Sequence, residues 1–311
     1  EALDGPLIGI AALRHVSVDQ VVDDLMAHVL NDLAQILRFH DFEALRRTFI
    51  EFLHRLPFYG TAVLCADDLH LAGIFDAVGR PLVTYGLAEG SDYRAVALEP
   101  TGRAWRFRAE RPRGRAALDI KLALPGYHNV LNALAAIAVA TEEGLPDAAI
   151  VRGLADFAGV GRRFQVTESV HVGSAAVTLV DDYGHHPTEV ARVIETARAV
   201  WPGHRIVMAY QPHRFSRTRD LYDDFVRVLS GVDVLVLLEV YGAGEEPLPG
   251  ADGRSLAQGI RQRGLVNPVY AESPEEALAI LPGLVRDGDI LLVQGAGNVN
   301  RISNVLRGTP S

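Results

Sequence analysis

Two kinds of apolar spacing alternate along the chain. Over residues 15–37 the apolar positions recur every three or four residues, which predicts an amphipathic helix. A second helix is predicted over 42–56, where Pro57 ends it. From residue 61 to residue 124 short apolar runs predict strands, several of them antiparallel, before helices return over 125–140 and 147–157.

Beyond Gly161, strands and helices alternate. The predicted strands are 175–180, 205–210, 232–240, 268–270 and 289–293, and the predicted helices are 188–200, 218–229, 255–263, 274–281 and 299–306. Such alternation is typical of a doubly wound, mostly parallel sheet. The sequence therefore predicts an α/β protein of two domains, 1–160 and 161–311.

Composition narrows the class of protein. The 311 residues are 49% hydrophobic and 22% charged, as expected for a globular chain, and the most apolar stretch, 130–140, is too short to cross a membrane. A net charge of −9 disfavours nonspecific binding to nucleic acid or to anionic membranes. Cys65 is the only cysteine, which excludes an internal disulfide, and the acidic N-terminus shows no secretory signal. We expect a cytoplasmic protein that binds small molecules; the oligomeric state is left open.

Ionisable side chains cluster where two predicted strands end. The segment VTLVDDYGHHPTE, 177–189, follows the first of them, and MAYQPHRFSRTRDLYDDF, 208–225, contains the second. Ligands bind at the carboxyl ends of strands in such sheets, and arginines are preferred donors to carboxylates and phosphates. An ordinary helix cap is the alternative for any single residue here, and a surface ion pair is the alternative for Arg219. The concentration of charge favours a ligand site.

Two further segments contribute polar or glycine-rich turns. PGYHNVLNALAA, 125–136, places polar residues on the first turns of an apolar helix, where a plain helix cap is the alternative. VQGAGNVNRI, 293–302, reads as a strand, a glycine turn and a helix, which would bring backbone N–H groups close to a ligand.

Together with GRRF, 161–164, and EVYGAGEEPLPGADGRSL, 239–256, these segments resemble the ATP-dependent Mur ligases, most of all the members that join L-alanine to UDP-N-acetylmuramate. The resemblance runs from about Asp41 to Leu306. It implies a truncated central ATP-binding α/β domain followed by a Rossmann-like domain, and a role in peptidoglycan precursor synthesis. ATP and Mg²⁺ would convert the muramate carboxylate to an acyl phosphate, which the amino acid then attacks.

The resemblance also implies roles for individual residues. The implied catalytic residues are His185, Arg214 and Arg217, and the implied substrate-binding residues are Tyr183 and His213. The implied nucleotide contacts are His128, Asn129, Asn132, Arg163 and Asp181.

The sequence departs from the family at the phosphate loop. No G-x-x-x-x-G-K-[ST] occurs, and Lys121, the only lysine, lies in a predicted strand. The family's metal ligands have no counterpart, so the metal-binding residues stay unassigned. Because phosphoryl transfer depends on positioning and charge neutralisation, we expect this chain alone to be inactive or nearly so.

Several alternatives remain open. The chain is either a fragment or rearranged copy of a ligase, or a noncatalytic homologue that binds a nucleotide or a UDP-sugar. It could also be an interaction module that uses the predicted helix at 16–37. A dehydrogenase is disfavoured, because no first-strand G-x-G-x-x-G with a downstream acidic residue is present.

Overall fold

A computed structural model describes residues 9–12 and 42–308, so the helix predicted over 15–37 lies outside the described residues. The described chain divides into two compact units between Phe157 and Ala158. None of the helices described is both long enough and apolar enough to cross a membrane.

The first unit contains a mixed six-stranded sheet in the order β1-β2-β3-β4-β5-β6. Its strands are β1 Gly9–Ala12, β2 Thr61–Cys65, β3 Leu82–Gly86, β4 Tyr93–Thr101, β5 Ala104–Glu110 and β6 Leu118–Leu122. The pairs β2–β3 and β3–β4 are parallel, and the other neighbours are antiparallel. The α-helices are α1 Phe42–His54, α2 Leu69–Ala72, α3 Tyr127–Glu142 and α4 Asp147–Asp156.

Helix α3 packs against the parallel part of this sheet. It begins after Gly126, whose φ of 86° is a left-handed conformation that glycine adopts without strain. Val130, Leu134 and Ile137 are fully buried at the spacing of one helix face. The buried residues of α3 therefore fix the position of its polar first turn.

The second unit is the doubly wound domain. Its sheet has the order β11-β10-β9-β12-β8-β7, parallel throughout except for β7. The strands are β7 Gln165–Val172, β8 Ala175–Asp182, β9 Ile206–Tyr210, β10 Val234–Leu238, β11 Val269–Ala271 and β12 Ile290–Gln294. The helices are α5 Pro187–Val200, α6 Phe215–Asp220, α7 Tyr222–Leu229, α8 Gly253–Arg263, α9 Pro274–Ile280 and α10 Asn300–Arg307. Two separate apolar clusters include residues from opposite faces of the sheet.

The central strands of the second sheet end level with one another. Gln294, the last residue of β12, pairs with Asp182 of β8 and with Tyr210 of β9. The loops that follow these strands therefore start side by side at the carboxyl edge, which is where this class of sheet binds ligands.

Two features of the second unit differ from the prediction. The edge strand β7 was not predicted, because a register shift between Thr167 and Val170, with Ser169 at a φ of 56°, interrupts its apolar alternation. The helix predicted over 218–229 starts at Phe215 and breaks at Leu221, where φ is −114°.

Candidate active site

Four rings form a row along the carboxyl edge of the second sheet. Tyr183 and His185 follow β8, His213 follows β9 and Tyr241 follows β10. Successive ring centroids are 5.7 Å, 5.5 Å and 5.7 Å apart, and the His213 and Tyr241 rings are stacked at 14°. The structure thus brings Tyr183, His185 and His213 together, and adds Tyr241, to which the sequence assigned no role.

Two arginines border this ring row at α6. Nη1 of Arg217 lies 3.2 Å from the carbonyl oxygen of His213 and 3.4 Å from its Nδ1. Arg214 has a φ of 73°, and its Nη1 lies 3.4 Å from Oε1 of Glu245, which also accepts hydrogen bonds from Ser216. Among the described residues Arg214 is therefore paired with a carboxylate, whereas Arg217 forms no ion pair.

The surroundings keep both histidines uncharged at neutral pH. Burial lowers the pKa of His185, and the positive charge of Arg217 lowers it further, against an opposing effect of Glu189. Burial, His185 and the two arginines lower the pKa of His213 to about 4. Burial also lowers the pKa of the Arg217 guanidinium. The site therefore offers neutral imidazoles as proton acceptors beside cationic guanidinium groups.

Glu189 fixes the loop that carries His185. Its carboxylate accepts hydrogen bonds from the backbone N–H groups of His185 at 2.8 Å and His186 at 3.0 Å, which closes a capping box at the start of α5. Burial raises the pKa of Glu189, but these hydrogen bonds outweigh it and the pKa is lowered. A glutamate three residues after the N-cap residue is the sequence pattern that could have predicted this capping box.

Arg163 and Asp181 have different environments. Cζ of Arg163 lies 5.4 Å from the Tyr183 ring centroid. The Asp181 side chain is 1% exposed and is paired with Arg307 at 3.0 Å and with Arg162 at 3.8 Å. Burial raises the pKa of Asp181, and the two arginines oppose that rise. The nucleotide contact implied for Asp181 stays a prediction.

The glycine turn after β12 packs closely against the residues that follow β9 and β10. A Cβ on Gly295 would lie 2.7 Å from the carbonyl oxygen of Gln211, and one on Gly297 would lie 2.7 Å from Tyr241. The Gln211 side chain accepts a hydrogen bond from the backbone N–H of Val299 and donates one to Asn298. The turn therefore needs glycine for close approach.

The remaining sequence-derived residues lie in the first unit, at the start of α3. Nδ2 of Asn129 donates to the carbonyl of Pro125 at 2.7 Å, and Nδ2 of Asn132 lies 3.4 Å from Oδ1 of Asn129. His128 is on the same turn. Lys121 lies in β6, as the sequence predicted.

The described residues do not provide a metal centre. Within them, no group of three or more His, Cys, Asp or Glu side chains is arranged to hold a metal ion. The Mg²⁺ that the family resemblance implies stays a prediction, because Mg²⁺ is usually bound by one or two carboxylates together with substrate phosphates.

Comparison with known proteins identifies both units. The Mur ligase middle domain matches residues 34–140, and the glutamate ligase domain of Mur ligases matches residues 162–297. The UDP-N-acetylmuramate-alanine ligase MurC of Thermotoga maritima is 27% identical over 79% of this chain and 50% of its own, with a TM-score of 0.60.

Two other solved structures share the fold at lower identity. The murein peptide ligase of Psychrobacter arcticus is 20% identical over 88% of this chain and 56% of its own, with a TM-score of 0.62. MurF of Acinetobacter baumannii is 19% identical over 87% and 56%, with a TM-score of 0.65. The present chain spans about half the length of each of these proteins. With both of its domains matched, the chain belongs to the Mur ligase family.

Proposed function

We propose that the ring row and its arginines serve ATP-dependent amide bond formation between a muramate carboxylate and an amino acid. The observation that carries this proposal is Arg217, a half-buried cation that forms no ion pair among the described residues and lies beside two neutral histidines. A partly buried cation in that state favours an anionic ligand.

In this reaction the muramate carboxylate attacks the γ-phosphorus of ATP, so that ADP leaves and an acyl phosphate forms. The amino group of the amino acid then attacks the acyl carbon, and inorganic phosphate leaves with the bonding electron pair. Arg214 and Arg217 would offset the negative charge of the carboxylate and of the departing phosphate. His185 would accept the proton that the attacking amine loses, while Tyr183 and His213 line the substrate. No step is assigned to a metal ion.

The substrates are proposed on two grounds. Residues 177–189 and 208–225 resemble the alanine-adding Mur ligases, and the Thermotoga maritima relative is by its description a UDP-N-acetylmuramate-alanine ligase. We therefore propose L-alanine and UDP-N-acetylmuramate, with ATP contacted by Arg163 and by His128, Asn129 and Asn132. The Acinetobacter and Psychrobacter structures support the fold alone.

The sequence contains no G-x-x-x-x-G-K-[ST], so binding is a better test than turnover. We would titrate the ligation product, UDP-N-acetylmuramoyl-L-alanine, into the chain by calorimetry. A His185→Ala, Arg214→Ala double variant should bind it about tenfold or more weakly, a loss of about 1.4 kcal/mol or more. The matched control is His204→Ala, Arg219→Ala, which changes two exposed residues of the same kinds.

Equal affinity of the site variant and the wild type would contradict the proposal. In parallel, L-alanine-dependent ADP release should be close to background for the wild type. Turnover that the site variant loses and the control keeps would contradict the expected inactivity while supporting the ligase reaction. Product binding without turnover is the expected result; it also fits the second candidate function, a noncatalytic nucleotide- or UDP-sugar-binding homologue.

A further inference from the structure

A buried ionic cluster lies beneath the Tyr183 end of the ring row. Nη1 of Arg307, in the last turn of α10, donates to Oδ2 of Asp181 at 3.0 Å, and Nε of Arg162 lies 3.8 Å from Oδ1 of the same carboxylate. The Asp181 side chain is 1% exposed, and those of Arg307 and Arg162 are 14% and 25% exposed. A carboxylate buried to this degree is stable in its charged form only while cations compensate it.

The two arginines differ in what else they touch. Arg307 donates to Oγ1 of Thr167, on the edge strand β7. Arg162 reaches the candidate site three times. Its Nη2 donates to the carbonyl of Gly295 at 2.6 Å, its Cζ lies 4.9 Å from the Tyr183 ring centroid, and its carbonyl accepts a hydrogen bond from the Tyr183 N–H at 2.7 Å.

The backbone at Arg162 also shows that surrounding contacts hold it in place. Its φ is 58°, in the left-handed region that non-glycine residues adopt at a cost of about 1 kcal/mol or more. Such a conformation persists where neighbouring contacts determine it. Here those contacts are the pairing with Asp181 and the bonds to Tyr183 and Gly295, so the four residues form one connected unit.

We propose that Asp181 and Arg162 are a positioning pair: Asp181 acts through Arg162 to hold the Tyr183 ring and the Gly295 turn in the arrangement that the ligand meets. This role replaces a direct nucleotide contact for Asp181. The identity of the bound ligand rests on the proposed function. The positioning of Tyr183 and Gly295 does not, because it involves residues of the protein alone.

Hydrogen–deuterium exchange of the full chain tests the positioning. Asp181→Asn and Arg162→Gln should each speed exchange of the Tyr183 and Gly295 amides by about tenfold. Both variants break the Asp181–Arg162 ion pair, which holds the Arg162 carbonyl that accepts from Tyr183 and the guanidinium that donates to the Gly295 carbonyl. The double variant should exchange no faster than Arg162→Gln alone, because the proposal has Asp181 act on these amides through Arg162. Arg307→Gln is the matched control, because it unpairs the same carboxylate without touching Tyr183 or Gly295. Its exchange at these two amides should stay within about threefold of the wild type.

Arg162→Lys separates positioning from simple loss of a buried charge. Lysine keeps the positive charge beside Asp181 but lacks the planar group that both lies against the Tyr183 ring and donates to Gly295. This variant should therefore unfold in urea near the wild-type midpoint and still exchange faster at Tyr183 and Gly295. Uniformly faster exchange over the whole second unit in all variants would overturn the proposal, because it indicates general destabilisation.

An ADP titration by calorimetry distinguishes positioning from direct contact. If Asp181→Asn weakens ADP binding while exchange at Tyr183 and Gly295 is unchanged, Asp181 contacts the nucleotide and the positioning role is wrong. If the wild type does not bind ADP, the nucleotide part of the proposed function fails. The exchange measurements then still decide the positioning pair.

Discussion

At the scale of single residues, His213 shows how the site controls charge. Its ring lies between His185 and Tyr241, and Nη1 of Arg217 is 3.4 Å from its Nδ1. Glu245 favours its protonation, but this effect is smaller than those of burial, His185 and the two arginines. The guanidinium groups therefore supply the positive charge here, while the His213 imidazole stays neutral.

The first prediction concerns the titration of His213. Its pKa is about 4 in the folded protein against 6.5 for an unperturbed histidine, so between these values the unfolded chain binds a proton that the folded chain does not. Its contribution should therefore make stability fall as the pH is lowered from 6.5 towards 4, and His213→Gln should reduce that fall. Imidazole NMR shifts and urea midpoints across this range measure both effects. A His213 ring that titrates near 6.5 would contradict the assignment.

At the scale of elements, short turns and helix starts hold the site residues. The capping box at the start of α5 fixes His185, and the turn at Gly295 and Gly297 packs against the β9 exit. Their conformation therefore depends on a few hydrogen bonds and on the absence of side chains at the two glycines.

The second prediction tests the capping box. Glu189→Ala removes the acceptor for two backbone N–H groups and should destabilise the protein by about 1–2 kcal/mol. It should also lower the pKa of His185 further, because the carboxylate raises it. Urea unfolding and NMR titration measure the two effects. Glu195→Ala, which breaks an exposed pair with Arg192 on the same helix, should cost no more than about 0.5 kcal/mol. Equal losses in the two variants would argue against the capping role.

The third prediction tests the glycine turn. A methyl group at position 297 would lie 2.5 Å from Oε1 of Gln211 and 2.7 Å from Tyr241, so Gly297→Ala should destabilise by about 1–3 kcal/mol and shift the His213 resonances through Tyr241. Gly283→Ala is the control, because nothing lies within 4 Å of its added carbon. Thermal unfolding and NMR spectra compare them. If both variants behave like the wild type, the turn tolerates a side chain and the packing argument fails.

The sequence predicted helices and strands correctly where the spacing of apolar residues matches the face that is buried. Helix α3 and the alternation of β8 to α10 were predicted because apolar periodicity and burial coincide. Strand β7 was missed because its bulge interrupts the alternation of apolar and polar residues that marks a strand. Arg162 was missed because its partners, Asp181 and Gly295, are distant in sequence and its role depends on a contact across the sheet. Residues of that kind carry no local signal.

At the scale of the whole molecule, the chain consists of two units with separate cores. Residues 4–157 and 158–311 contribute to different compact units, and each unit has its own sheet and buried apolar cluster. The ring row, both site arginines and the buried ionic cluster all lie in the second unit. That unit therefore contains every contact described for the ring row, its arginines and the buried ionic cluster.

The fourth prediction follows from this division. A polypeptide of residues 158–308 should fold alone and unfold in one cooperative transition, because its sheet is complete and both of its faces are covered. Its NMR spectrum should retain the low pKa of His213. Circular dichroism and imidazole titration provide the measurements. A poorly dispersed spectrum, or a noncooperative transition, would show that the second unit depends on the first.

The level ends of β8, β12 and β9 have a consequence for how such a site changes over time. Each loop starts from the same edge, and Gln294 holds that edge by pairing with Asp182 on one side and Tyr210 on the other. A loop can therefore lengthen, shorten or exchange residues without altering the register of the strands beneath it. Substrate preference can drift one loop at a time, for example in the segment from Tyr241 to Gly250, while the apolar layers stay the same.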